Sequence, residues 1–215
     1  MMVGAEELNG RIRLGMSDPT NGILIVPTPE STGGTLSETA SVDLRLGRWF
    51  LSVQQTKTSV INLGQARSSE EFEAAEGRMF YVPFGSTFVV HPGRFVLAAT
   101  LEWVRVPETL GGFITGKSTI GRRGLIIETA AGLHPCFSGC ITLELANSGE
   151  VPIALVPGMR ICQVFFHKLT AASPQAQTQL GGCRKPSFGP YKLDKLLENA
   201  ANFHKKLGGD GDHLI

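Results

Sequence analysis

Short apolar runs separated by glycine and proline are the feature of this sequence that most restricts its fold. The 26 glycines and 12 prolines are spread along the 215 residues and are not pooled in one linker. No run approaches the roughly 18 apolar residues of a membrane span. Several runs alternate apolar with polar residues, as half-buried strands do. Short strands joined by frequent turns are typical of an all-β barrel or sandwich.

The clearest strand-like runs are residues 23–26, 41–47 and 95–101. Asp43 and Arg45, the polar members of the second run, are interpreted as a structural pair. Residues 65–75 are polar and rich in glutamate, and they are predicted to form the only helix or mobile excursion before the C-terminus. An amphipathic terminal helix is predicted from six apolar residues at helical spacing: Leu193, Leu196, Leu197, Ala200, Phe203 and Leu207. This helix is expected to pack on its own or a neighbouring subunit, or to bind a partner.

Composition excludes some partners and indicates a compartment. The net charge of +1 creates no global field towards nucleic acid or membrane, so neither is expected as a partner and any anion site must be local. The first residues lack the apolar region of a signal peptide. The four cysteines are therefore expected to be free thiols in the cytoplasm. The length suits a single domain, residues 1–215.

Residues 111–166 hold the candidate chemistry. In the run ITLELA at 141–146, side chains alternate between two faces, so Ile141, Leu143 and Leu145 are predicted to face the core. Glu144 then lies on the opposite face among small residues. It is either a solvated strand residue or a site carboxylate. The second interpretation is supported by the basic turn only one bend away, since a carboxylate that faces cations in a cleft is typical of a functional site. Glu128, which precedes that bend, is interpreted as a solvated strand residue.

The basic turn matches the phosphate-binding pattern G-x-x-x-x-G-K-S between Gly111 and Ser118. That mechanism needs a strand before the turn and a helix after it, and neither is evident, so a P-loop is not favoured. Lys117, Ser118 and Arg122 nevertheless offer a point charge, a hydroxyl and a planar guanidinium, which suit phosphate oxygens.

Three segments together resemble the dCTP deaminase branch of the deaminase/dUTPase superfamily. They are SVDLRLG from Ser41, HPGRFVLAATLEWVRVPETLGGFITGKSTIGRRGL from His91, and HPCFSGCITLELANSGEVPIALVPGMRICQVFF from His134. The resemblance implies a mainly β, dUTPase-like distorted barrel or jelly roll with short helices. It also implies a homotrimer with sites between subunits, a core at about 36–169 and a C-terminal lid and helix at about 170–215.

The resemblance also implies roles for individual residues. Glu144 falls at the catalytic glutamate, and Ser118 and Arg122 at residues that bind the triphosphate and order the site. Lys117 replaces a commoner arginine there. Ala130 lies where a backbone group orders the water and the amine, and Gln163 falls at a structural or base-adjacent position.

The expected cofactor is Mg²⁺ bound through the triphosphate, with no metal at the reacting carbon. The signature H-x-E…C-x-x-C of zinc deaminases is missing from the sequence, so no zinc is expected. A zinc site formed by His134, Cys136 and Cys140 is the less favoured alternative to semi-buried thiols.

Two places depart from the family pattern. His134 stands where an aspartate is usual. It could replace that residue's hydrogen bond to the sugar, mark a changed substrate, or have no role. Lys185 lies in a segment that compares only loosely with the family's closing lid, where it is the candidate ligand of the triphosphate.

The function expected from the resemblance is hydrolytic deamination of dCTP to dUTP and ammonia, in pyrimidine deoxynucleotide metabolism. One alternative is a pyrophosphatase acting on dUTP or another dNTP, alone or combined with deamination. The missing aspartate at position 134 predicts little of that activity. The other alternative is a non-catalytic nucleotide sensor that uses the same pocket.

Overall fold

The computed structural model describes residues 1–28, 38–53, 61, 77–128, 132–171, 182–189, 195–196 and 199. Its helices are α1 (Ala5–Leu14) and the single turn α2 (Ser118–Gly121). Its strands are β1 (Leu24–Val26), β2 (Ser41–Val53), β3 (Gly77–Tyr81), β4 (Phe88–Val90), β5 (Phe95–Arg105), β6 (Leu110–Gly116), β7 (Leu125–Glu128), β8 (Gly132–Leu133), β9 (Ser138–Asn147), β10 (Ile153–Leu155) and β11 (Arg160–Lys168).

One large antiparallel sheet organises the described chain. Its strands follow the order β7-β9-β5-β2-β11-β6-β8, with β1 added to β5 and β3 added to β2. Strands β4 and β10 form a separate pair. Within the part of the chain described here, no helix combines the length and the apolar character needed to cross a membrane.

Strand β2 bends the sheet, because its two halves pair with different neighbours. The first half pairs with β11 and the second half with β5 and β3. The register shifts between Leu46 and Phe50, where Gly47 lies so close to β5 that an added Cβ would stand 2.7 Å from the Ala99 carbonyl oxygen. Such a shift increases the local twist, so it lets one sheet curl around a core.

The core is formed by the inward residues of both halves of the curled sheet. Fully buried examples are Leu44, Phe50, Leu143, Leu145 and Phe166. The prediction for β9 is confirmed, because Ile141, Leu143 and Leu145 are at most 5% exposed while the intervening residues are half-buried.

A buried ion pair lies where the register of β5 also shifts, between Ala99 and Trp103. The side chain of Glu102 is 0% exposed, and its carboxylate accepts hydrogen bonds from the Arg45 Nε at 2.6 Å and the Arg45 backbone N at 2.8 Å. Arg45 is therefore paired with Glu102 and not with Asp43, which corrects the interpretation of Asp43 and Arg45 as one pair. Sequence alternation showed that both are polar but not which partner each meets.

The prediction that residues 65–75 form the only helix or mobile excursion before the C-terminus is wrong in the word 'only', since α1 is a ten-residue helix. Only Leu8 and Ile12 of α1 are buried, and Gly10 interrupts the pattern, so its amphipathic signal is weak. Residues 65–75 lie outside the described residues. The predicted terminal helix also lies outside the described residues, apart from Lys195, Leu196 and Asn199. Both segments therefore stay predictions.

Replacing Arg45 by methionine should lower the free energy of unfolding by about 3 kcal/mol, because it leaves a buried carboxylate without its cation. Adding Glu102→Met should recover much of that loss. Urea unfolding at one fixed protein concentration measures both effects. Arg13→Met, at an exposed position of α1, is the control and should change stability by less than about 0.5 kcal/mol. A single Arg45→Met variant as stable as this control would contradict the role given to the pair.

Candidate active site

The basic turn joins the two halves of the sheet. Strand β6 leads into it, Lys117 lies at the N-terminus of α2, and Gly124, with φ +91°, begins the passage to β7. A strand therefore does precede the G-x-x-x-x-G-K-S pattern, contrary to the sequence-based view, and the helix after it has only four residues. Ser118 and Arg122 are exposed on this turn, so both are available to an anion.

Lys117 is held in place by Asp43 of β2. Its Nζ lies 2.7 Å from each oxygen of the Asp43 carboxylate, and the Arg160 guanidinium lies 3.8 Å from one of them. Asp43 and Lys117 are each about a quarter exposed, so the pair is partly shielded from solvent. The carboxylate offsets part of the lysine charge and fixes its position before any ligand arrives.

Gln163 belongs to the same group of side chains. It lies between Asp43 and Thr115 across the sheet, and its Oε1 accepts a hydrogen bond from the Ser41 hydroxyl at 3.3 Å. The structure thus brings two predicted site residues, Lys117 and Gln163, together around Asp43. Sequence reasoning did not identify Asp43 as their common neighbour.

Glu144 is half-buried on β9, facing away from the core. Its cross-strand partners are Leu97 of β5 on one side and Glu128 of β7 on the other. Glu128 is an exposed strand residue, as predicted. Among the residues described, neither carboxylate has a cation within 4 Å.

Within one chain, Gly116, which leads into the basic turn, and Glu144 lie on different faces of the sheet. Gly116 packs against Ile127, where an added Cβ would stand 2.9 Å from the Ile127 Cβ. Ile127 is the cross-strand partner of Leu145, which is fully buried, so the turn reaches β7 from the core face. Glu144 points to the opposite face, because neighbouring residues of a strand alternate.

His134 is also distant from the basic turn in a single chain. It follows β8, which pairs with Gly112 near the start of β6, whereas Lys117 follows the end of β6. Five residues of strand separate these positions by roughly 16 Å. His134 is exposed, and its carbonyl accepts a hydrogen bond from the Phe137 N at 3.2 Å in a tight bend.

Lys185 lies over the outer face that carries Glu144. Its Nζ is 4.2 Å from the centre of the Trp49 ring. Trp49 and Leu51 are two residues apart on β2, so they point to the same face. Leu51 pairs with Leu97 of β5, and Leu97 pairs with Glu144 of β9. The segment 182–189 is attached there by two backbone hydrogen bonds, from Cys140 N to the Cys183 carbonyl at 2.9 Å and from Gly182 N to the Ser138 carbonyl at 2.6 Å. Ala130, the remaining predicted site residue, lies outside the described residues.

The cysteines are free thiols, as predicted. Burial, with the nearby Glu102 and Asp43 charges, raises the pKa of Cys162 to about 12. Burial likewise raises the pKa of Cys140. Neither thiol is therefore an effective nucleophile at neutral pH. In the ranges that the structure covers, no three His, Cys, Asp or Glu side chains are grouped to hold a metal ion.

Comparison with known proteins identifies the family. A family model described as dCTP deaminase-like matches residues 19–169, and these include the basic turn and Glu144. The chain belongs to the dCTP deaminase-like family. The resemblance drawn from the three sequence segments is thereby confirmed.

Two relatives show how far the similarity extends. A dCTP deaminase from Natronomonas pharaonis is 45% identical over 131 residues, which cover 60% of this chain and 65% of that protein. The match thus spans slightly less than two thirds of that relative's length. A dUMP-forming dCTP deaminase from Kocuria rhizophila is 37% identical over 202 residues, which cover 93% of this chain and 92% of that protein.

The fold also matches a solved structure. The 2'-deoxycytidine 5'-triphosphate deaminase from Agrobacterium tumefaciens aligns with a TM-score of 0.53 and 18% identity, over 77% of this chain and 47% of that chain. At this identity the match concerns the fold alone. The predicted mainly β, dUTPase-like fold is confirmed.

Replacing Gly116 by alanine should displace the basic turn from β7, because the new methyl group would meet Ile127 at 2.9 Å. Overpacking of this kind costs about 1–3 kcal/mol of unfolding free energy. Gly121→Ala is the matched control, since nothing lies within 4 Å of its added Cβ. Thermal unfolding of both variants measures the difference. Equal melting temperatures would show that Gly116 does not pack against β7 in solution.

Proposed function

We propose that this chain deaminates dCTP to dUTP and ammonia. The proposal is supported chiefly by the family match, which covers both the basic turn and Glu144. It is supported further by the position of Glu144, a half-buried carboxylate beside the buried Leu97. Partial burial suits proton transfer, because bulk water competes less for the carboxylate.

Glu144 is the proton carrier in this mechanism. Its carboxylate takes a proton from a water molecule as the water oxygen attacks C4 of cytosine. It passes that proton to N3 as the C4–N3 double bond becomes single. It then moves the proton of the new C4 hydroxyl to the amino nitrogen, the bond from C4 to that nitrogen breaks, and ammonia leaves while a carbonyl forms at C4. A positioned acid–base group of this kind contributes about 10²–10⁴ to the rate. We assign the ordering of the water to the Ser118 hydroxyl and the backbone at Ala130.

Phosphate recognition falls to the basic turn. Arg122 presents a guanidinium fork to phosphate oxygens, and Lys117 adds a point charge positioned by Asp43. The described residues form no Mg²⁺ site of their own, because the one carboxylate at this turn, Asp43, is engaged by Lys117. We therefore treat Mg²⁺ as arriving with the triphosphate, as part of the substrate. Lys185 and His134 are proposed to contact the triphosphate and the sugar, respectively.

The complete site is proposed to form between subunits of a homotrimer. In one chain Glu144 faces away from Gly116, where the basic turn begins, and His134 lies at the other end of β6. A second copy can bring its own turn to Glu144. The lid at about 170–215 would close over this shared site. The free cysteines support a reducing, cytoplasmic setting.

The alternative function is deamination of dCTP that ends in dUMP, because the relative from Kocuria rhizophila is named as dUMP-forming. That reaction adds hydrolysis of the triphosphate with release of pyrophosphate. The histidine at position 134 argues against it, since imidazole is a different base from the carboxylate expected there.

Incubation of the purified protein with each dNTP and Mg²⁺, followed by chromatography of the products, tests the function. Ammonia and dUTP from dCTP are the expected products, whereas dUMP and pyrophosphate would favour the alternative. Binding of nucleotides without any product would indicate a sensor and would overturn the proposal.

Mixing two inactive variants tests the shared site. Glu144→Gln and Arg122→Ala should each lose at least about 100-fold in kcat/KM, because each removes a group that acts directly on the substrate. Refolding them together in equal amounts should restore about a quarter of wild-type activity, because in a ring one interface in four pairs the intact glutamate with the intact arginine.

Glu150→Gln, an exposed substitution just after β9, is the control for loss of charge. Native mass spectrometry of the mixed oligomers, in which the two single variants differ in mass, measures subunit exchange. No recovery from the mixture of single variants, with exchange demonstrated, would place both groups in one subunit.

A further inference from the structure

Glu128 and Glu144 end a row of side chains that crosses the large sheet on its outer face. The cross-strand partners in this row, from β3 to β7, are Met79, Leu51, Leu97, Glu144 and Glu128. Leu51 and Leu97 are 2% and 4% exposed, whereas Glu128 is exposed. The row therefore consists of three apolar side chains followed by two adjacent acidic side chains. We call the last two residues the Glu128–Glu144 pair.

This pair breaks a general rule of sheet stability. Like charges directly opposite on neighbouring strands destabilise their pairing. The flanking residues on the same face, Ile126, Thr142 and Ala146, carry no charge, and no cation within the described ranges lies within 4 Å of either carboxylate. Such violations of local rules are expected at functional sites, where another gain offsets the cost.

The chemistry of the pair matches an amino group. An ionised carboxylate only accepts hydrogen bonds. Cβ atoms of directly opposed residues lie about 4.5–5.5 Å apart, so both carboxylates can converge on one group between them. The C4 amino group of cytosine has two N–H donors, one for each acid. The C4 carbonyl of uracil is an acceptor and would be repelled by both.

We propose that Glu128 is a specificity-determining residue, which accepts the second N–H of the cytosine amine beside Glu144. This inference rests on the proposed function of the Glu144 site. It assigns to Glu128 both the preference for the amine substrate and the expulsion of the carbonyl product. Glu128 is not required to transfer a proton, so its effect falls mainly on binding.

The test compares the affinities of Glu128→Gln for dCTP and dUTP. Glutamine can donate to the uracil carbonyl, so dUTP should inhibit and bind about tenfold more tightly than in the wild type. The KM for dCTP should rise several-fold, whereas kcat changes by less than about threefold, since uniform binding is what is lost. Inhibition kinetics and calorimetry with each nucleotide provide the measurements.

Two further variants separate this role from a general effect of charge. Glu128→Asp keeps an acceptor and should retain discrimination against dUTP, whereas Glu150→Gln removes the same charge elsewhere and should change neither affinity. If Glu128→Gln folds normally and its ratio of dUTP to dCTP affinity stays within about twofold of wild type, Glu128 is only a solvated strand residue and the deaminase proposal stands. If the wild type makes no product from dCTP, the deaminase proposal fails, and this inference fails with it.

Discussion

The register of β9 is the constraint on which the rest of this site depends. Side chains alternate strictly along a strand, so the burial of Ile141, Leu143 and Leu145 forces Glu144 to the outer face. A slip of one residue would place the carboxylate in the core and three large apolar side chains in solvent. Hydrophobic burial therefore determines where the carboxylate stands, without any contact made by the carboxylate itself.

The irregularities of the sheet also determine where the candidate site residues lie. The register shifts in β2 and β5 occur where Gly47 and the Glu102–Arg45 ion pair lie, and they let one sheet form both walls of the core. Because β6 belongs to one wall and β7 to the other, the basic turn must pass between them. Gly116 thus meets β7 from the core side, and Glu144 points outward. The separation of Gly116 and Glu144 onto different faces follows from how the sheet curls.

Local patterns in the sequence predicted much of this arrangement, and long-range pairings account for what was missed. The face of Glu144 was predictable because a period of two involves only neighbouring residues. Asp43 and Lys117 are 74 residues apart, so no local pattern joins them. Strand β6 was not recognised, because Gly111, Gly112 and Gly116 dilute its strand propensity. The alignment of Glu128 with Glu144 depends on strand pairing, which spacing alone does not reveal.

The contact between Lys117 and Asp43 has a consequence for how a nucleotide finds the protein. The Asp43 carboxylate lies 2.7 Å from the Lys117 ammonium and 3.8 Å from the Arg160 guanidinium, so these two cations share one anion and the cluster stays positive. Asp43 therefore offsets only part of the positive charge beside the basic turn. With a net charge of only +1 over the whole chain, the attraction of a distant polyanion to this turn comes from that cluster and from Arg122, which has no acidic partner among the described residues. If Asp43 were absent, the same turn would carry a larger positive charge, so this one carboxylate sets how strongly the turn attracts anions from a distance.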